Sequence, residues 1–182
     1  YESWIWHALI WLPLLGTFHV LWAAEDRAKW LALRWSLVVF VLSVGLWWAY
    51  DPALGGGYQL TSSLPWIAVW GVNYALGLDG ISLFMVLLST FTTPLAILGS
   101  FNYIKKRQKA FYALMLLLEV GVVGVFSAVD LFLFYVFFEL TLVPMYFIIG
   151  VWGGERRIYT GLASHLLPGS GINAFSRRHV QR

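Results

Sequence analysis

The chain has 182 residues, 60% of them hydrophobic and only 12% charged, whereas a soluble domain carries roughly 25% charged residues. Its charges are clustered, leaving apolar stretches of about 20 residues, the length a bilayer-spanning helix needs; this describes an all-α polytopic membrane protein and excludes a soluble globular enzyme. The absence of cysteine excludes disulfides, thiolate metal sites and Cys-ligated iron–sulfur clusters, and the net charge of +3 comes from short basic links between apolar runs, not from a nucleic-acid-binding surface.

Five transmembrane helices are predicted, at about 3–23, 31–50, 81–103, 110–129 and 131–150. Before the first apolar run stand Tyr1, Glu2 and Ser3, with no Lys or Arg. A signal peptide would carry a basic leading region, so this run is read as a true span behind a mature or clipped N-terminus. His7 and His19, near the ends of that span, are read as interfacial or packing groups. The first two helices and the link after them form one expected region, 1–80. That link holds Asp51-Pro52, Gly55-Gly56-Gly57 and Leu64-Pro65-Trp66, residues that favour turns. Tyr58–Thr61 and Ile67–Tyr74 are expected to form short strands or an interfacial segment. Asp79, in Gly-Leu-Asp-Gly-Ile-Ser, reads as a turn and helix start. The next three helices make up a second region, 81–159. From about Thr160 the composition changes, and 160–182 is expected to be a disordered or frameshifted tail.

Charge gives the orientation. Link 24–34 carries Arg27, Lys29 and Arg34; link 104–109 carries Lys105, Lys106, Arg107 and Lys109; the segment after the fifth span carries Arg156, Arg157, Arg177, Arg178 and Arg182. With five spans all of these fall on one side, while Glu2, Asp51, Asp79 and Asp130 fall on the other. The positive-inside rule then places the N-terminus outside and the tail in the cytoplasm.

The chemistry-bearing residues are acids within apolar runs. Glu139 lies near the middle of the fifth span, where insertion of a charge costs about 2.5–3.5 kcal/mol. Intramembrane acids mark ion pathways, so Glu139 is the first candidate for proton or cation transfer; the bland alternative is a structural carboxylic acid hydrogen-bonded to a neighbouring helix. Pro144, five residues later, cannot donate to the carbonyl of Leu140, and that freed carbonyl is a possible acceptor for water or a protonated group, unless Pro144 is an ordinary kink. Glu119 lies at similar depth in the fourth span. Two carboxyls on adjacent helices could share or relay a proton; which way each faces is not read from the sequence. Gly121 and Gly124 beside it suit close helix packing. Asp130 is expected to cap the fifth helix, with a place at the mouth of a proton path as the alternative. The chain shows no phosphate loop, metal-ligand set or hydrolytic triad.

The stretch Ser127–Gly154, SAVDLFLFYVFFELTLVPMYFIIGVWGG, followed by Glu155-Arg156-Arg157-Ile158-Tyr159, resembles the M-type antiporter-like subunits of NADH–quinone oxidoreductase, respiratory complex I. Gly77-Leu78-Asp79-Gly80-Ile81-Ser82 fits the same family. The resemblance is strong from about 77 to 159 and compatible only in hydropathy before that. It implies a membrane-arm subunit that contributes to proton translocation coupled to quinone reduction, built on inverted helical repeats that begin with the fourth and fifth spans. Glu139 matches the family's key glutamate, which pairs with a lysine on a later, broken helix; Glu119 aligns with an acid of the preceding helix. The resemblance also implies that this chain carries no cofactor, with NADH, flavin, iron–sulfur clusters and quinone belonging to other subunits. Its implied partners are the other membrane-arm subunits, the lipid bilayer and protons, without nucleic acid, in a bacterial plasma membrane. After Tyr159 the chain departs from the family pattern, and the implied reading is an N-terminal fragment lacking the partner lysine. The alternatives are a subunit of a multi-subunit sodium/proton antiporter or membrane-bound hydrogenase, or a purely structural membrane protein. Neighbouring genes would separate the transporter readings.

Overall fold

The computed structural model describes residues 4–54, 57–67, 69 and 71–153; the expectations for 160–182 lie outside them. Among the described residues, five helices are long and apolar enough to cross a membrane: α1 (Trp4–Trp22), α2 (Glu25–Ala49), α3 (Gly80–Ser100), α4 (Gln108–Ser127) and α5 (Leu131–Trp152). Between α2 and α3 come a single 3-10 turn, Pro52–Leu54, and two antiparallel strands, β1 (Gln59–Ile67) and β2 (Val72–Leu78).

α2 departs most from its expected bounds. It begins at Glu25, so the link expected at 24–34 shrinks to Ala23 and Ala24, and Arg27, Lys29 and Arg34 ride on the helix itself. Glu25 and Asp26 occupy its first turn, where negative charge suits the positive end of the helix dipole, and the following Ala, Lys, Leu and Arg residues are good helix formers. Hydropathy marks where a helix becomes apolar, not where it starts. The strands also differ from the expected bounds: β1, over 59–67, is longer than 58–61 and takes in Ile67, while β2, over 72–78, lies further along the chain than the expected 67–74. Gly71 reverses the chain between them with φ of 67°, a conformation open to glycine without a Cβ clash. Pro65, which has no N–H to give the ladder, stands beside one of the two register irregularities.

The chain divides into two compact units, Tyr1–Pro144 and Met145–Arg182. The described part of the second completes α5 and sets Tyr146 against Phe147 edge to face. In the first, α4 packs against α1, α2 and α3, and α2 bridges α1 and α3. Its core is formed by Ile5, Leu9, Val39, Leu46, Val86, Val120, Val123, Leu133 and Phe137 with others. Inside this apolar core, Ser43 of α2 and Thr90 of α3 share a hydrogen bond of 2.7 Å, both fully buried.

The hairpin is docked on the helix ends by polar contacts. The Trp6 indole N–H donates to the carbonyl of Leu60 at 2.6 Å. His7 stacks on Tyr74, with its Nε2 3.4 Å from the Ser62 hydroxyl; burial pushes the Tyr74 phenol up from its ordinary value. The α4–α5 turn joins the edge of β2, with the amide of Val129 donating to Ala75 and Leu76 bridged to Ala128. Asp79 caps α3, accepting from the Ser82 amide at 2.6 Å. At the opposite end, where α1 meets α2 and α3 meets α4, lie the described Lys and Arg residues: Arg27, Lys29, Arg34, Lys105, Lys106, Arg107 and Lys109.

Candidate proton-transfer site

Glu119 and Glu139 lie at the same depth. Counting from Ser127 back to Glu119 and from Leu131 on to Glu139, each is about 12 Å from the α4–α5 turn at a rise of 1.5 Å per residue. Their rotations differ completely. α4 meets α5 through its two glycines: a Cβ on Gly121 would strike Thr141, and one on Gly124 would strike the Phe137 ring. These are the close approaches expected of small residues between membrane helices. At 100° per residue, Glu119 points about 170° away from the Gly121/Gly124 face of α4. Phe137 and Thr141 define the facing side of α5, and Glu139 points about 180° away from their mean direction. The two carboxyls therefore turn their backs on each other, and the arrangement does not bring them together as a proton-sharing pair.

Their surroundings follow from this. Glu119 is 2% exposed, on the α4 stripe that carries buried Tyr112, Leu116 and Val123. Neither of its carboxyl oxygens has a hydrogen-bond partner among the described residues. Glu139 is exposed on the outer face of α5, with the hydroxyl of Tyr135, one turn earlier, placed to interact with its carboxyl. Pro144 is buried within α5, and its ring nitrogen leaves the Leu140 carbonyl without its usual donor.

Asp130 is the helix cap that its position suggests. Its Oδ1 accepts from the amides of Phe132 at 2.8 Å and Leu133 at 3.2 Å, two donors that the first turn leaves unpaired. Its Oδ2 accepts from the amide of Asn73 in β2 at 3.2 Å. The Asn73 amide, ahead of those of Leu133 and Phe132, holds the Asp130 carboxyl below its ordinary value. Asp79 is held low in the same way, chiefly by the Ser82 amide. The sequence reading missed the polar pair Ser43–Thr90. Ser43 is a single hydroxyl in an apolar run and Thr90 is one of several hydroxyls close together, with Ser89, Thr92 and Thr93, so only helix docking shows that the two meet.

Residues 8–124 match the family model described as NADH-ubiquinone oxidoreductase chain 4, amino terminus, and residues 128–171 match that of NADH:quinone oxidoreductase/Mrp antiporter, TM. The chain belongs to the NADH–quinone oxidoreductase subunit M/chain 4 family. The match reaches back to residue 8 and on to residue 171, beyond the 77–159 stretch in which the motifs are strongest. NADH-quinone oxidoreductase subunit M of Rhodobacter capsulatus is 45% identical over 137 residues, covering 75% of this chain and 26% of the relative. NADH-ubiquinone oxidoreductase chain 4 of Arabidopsis thaliana is 39% identical over 152 residues, covering 82% and 30%. The chain thus spans about a third or less of these relatives. A chain of the Thermus thermophilus respiratory complex I with bound NADH superposes with a TM-score of 0.72 at 28% identity, covering 87% of this chain and 32% of that one. A chain of the Mrp complex from Dietzia sp. DQ12-45-1b gives 0.67 at 18% identity over 88% and 17%, a likeness of fold alone.

Proposed function

We propose that this subunit M/chain 4 segment contributes to proton translocation in the membrane arm of an NADH–quinone oxidoreductase. The observation that carries the reading is the match of residues 8–124 to the chain 4 amino terminus together with two acids at mid-helix depth on adjacent apolar helices. Glu139 is the principal proton-transfer group. Its exposed face on α5 is free to meet a helix supplied from elsewhere in the assembly, where a cationic partner would compensate its charge. Glu119 serves a separate buried position, because its direction on α4 excludes direct exchange with Glu139. Proton transfer between them would need groups or waters that pass around α4 and α5. The freed Leu140 carbonyl opposite Pro144 offers one acceptor next to Glu139. Asp130 acts by holding the head of α5 and stands at the outer mouth of this region.

In this reading the chain has no redox chemistry of its own; NADH, flavin, iron–sulfur clusters and quinone are handled by other subunits. Its partners are those subunits, the lipids and the protons it moves. It sits in a bacterial plasma membrane with the hairpin end outside and the basic end in the cytoplasm, following the positive-inside rule.

The test is Glu139→Gln in the intact assembly, in inverted membrane vesicles. Quinone-linked proton uptake is expected to collapse, while NADH oxidation by an artificial acceptor that bypasses the membrane arm stays normal. Full proton uptake by this variant would remove Glu139 from the mechanism.

A further inference from the structure

The basic end of the α1–α2 pair holds a groove of about 780 Å³ lined by His19, Trp22, Arg27, Leu31, Arg34, Trp35 and Val38 with the two linking alanines. Arg27, Leu31, Arg34, Trp35 and Val38 are spaced four, seven, eight and eleven residues from Arg27, which puts them on one face of α2. The two acids of the first turn do not share it: at 100° per residue Glu25 and Asp26 lie more than about 100° from the centre of that face. Lys29 is also turned elsewhere, its ammonium over the Phe101 ring at 5.4 Å. No carboxylate forms an ion pair with Arg27 or Arg34 among the described residues. The groove therefore concentrates two unneutralised guanidinium groups.

Its third polar group is oriented. The Trp35 indole N–H, which can only donate, points to His19 Nδ1 at 3.3 Å. That leaves the ring proton of neutral His19 on Nε2, as a donor. Trp35 reaches this position because Gly16 has no side chain; a Cβ there would lie 2.7 Å from the indole Cγ. Along the helix axis the groove changes character. Trp22, 88% exposed, and Arg27 stand at the rim, where indole rings and long basic side chains favour the membrane–water boundary. Leu31 and Val38 continue into the apolar part of α2, with Arg34 placed to extend its head back to the rim along an apolar stem. A ligand that fits all of this has an anionic, acceptor-rich head and a hydrocarbon tail.

We infer that this groove is a binding site for an anionic phospholipid, its phosphate held by Arg27, Arg34 and His19 and its acyl chain lying along Leu31 and Val38. Planar guanidinium forks match phosphate oxygens in pairs. A free phosphate shares the headgroup chemistry but gains nothing from the apolar wall.

The test uses the whole chain in nanodiscs doped with spin-labelled phosphatidylglycerol or spin-labelled phosphatidylcholine, reading the motionally restricted fraction of each label. Phosphatidylglycerol is expected to be preferred. In R27Q/R34Q that preference falls by about 30-fold, taking about fivefold for each basic residue at a membrane surface. K105Q/K109Q removes the same charge from the same end of the bundle and is expected to have a far smaller effect. G16A keeps every charge, unseats Trp35 and is expected to weaken the preference. If G16A does not fold, the double arginine variant, which alters exposed side chains only, still decides. Equal restriction of the two lipids by the unaltered chain would overturn the inference. So would an equal loss in K105Q/K109Q, which would mean diffuse rim charge. Displacement of the labelled lipid by millimolar glycerol phosphate would overturn it too, since the headgroup alone would then suffice.

Discussion

The carboxylate of Asp130 accepts a hydrogen bond from the amide of Asn73, 57 residues earlier in the chain, while its other oxygen caps α5. One side chain thus ties the hairpin to the helix that carries Glu139. Both Asp130 and Asp79 are held below the ordinary carboxylate value by backbone amides. A group whose folded value is depressed contributes stabilisation that is complete above its unfolded value of about 3.9 and disappears as pH falls through the lower folded value. The hairpin end is therefore expected to loosen only below about pH 4, not between pH 5 and 8. Selective ¹⁵N labelling of asparagine, of which the chain has three, makes the check: the Asn73 amide resonance should titrate in that acid window, and Asp130→Asn should abolish the titration. A resonance that stays still down to pH 2 would show that the contact does not persist in solution.

The glycines of α4 give a second prediction. Gly121 lies against Thr141 and Gly124 against Phe137, closer than a Cβ allows, so Gly124→Val must push α5 away or distort α4. Overpacking of this kind costs about 1–3 kcal/mol. Gly99 and Gly150 have nothing within 4 Å of where a Cβ would be, and alanine there is expected to leave the thermal midpoint almost unchanged. Equal midpoint shifts at Gly124 and Gly99 would contradict the close approach of α4 and α5.

Ser43 and Thr90 are joined inside the apolar core at 2.7 Å. Each also donates to, or lies near, its own helix backbone, at the carbonyls of Phe40 and of Val86 and Leu87. That backbone alternative weakens the pair, and the average coupling for such contacts in membranes is about 0.6 kcal/mol. A double-mutant cycle with Ser43→Ala and Thr90→Val, read by unfolding in mixed micelles, should give a coupling of about that size. Strict additivity would mean the two hydroxyls do not interact.

Glu119 is held among apolar residues with neither oxygen hydrogen-bonded among the described residues. A polar group in such a place destabilises the fold by about 1–3 kcal/mol relative to an apolar side chain of similar shape. Glu119→Met is expected to raise the unfolding midpoint while lowering proton uptake by the assembly. A fall in the midpoint instead would show that the carboxyl is well satisfied in the membrane.

Much of this was legible in the order of residues because the signals are local. An apolar run of sufficient length is a span whatever surrounds it, an Asp directly before a helix is a cap, as at Asp79 and Asp130, and clustered Lys and Arg mark one end of the bundle. The small residues Gly121 and Gly124 could be read as a contact face because only close approach explains them there. What the sequence alone did not determine is every rotation and every docking partner. α5 is apolar on nearly all sides, so its sequence contains no preferred face from which to infer that Phe137 and Thr141 meet α4 and Glu139 does not. Tertiary packing decided that Glu119 is enclosed and Glu139 is outward, that Ser43 finds Thr90, and that Trp6 reaches back to Leu60 to seat the hairpin. In lipid the usual contrast between a wet face and a dry face is missing, so the choice of face passes from hydropathy to the fit of side chains between helices.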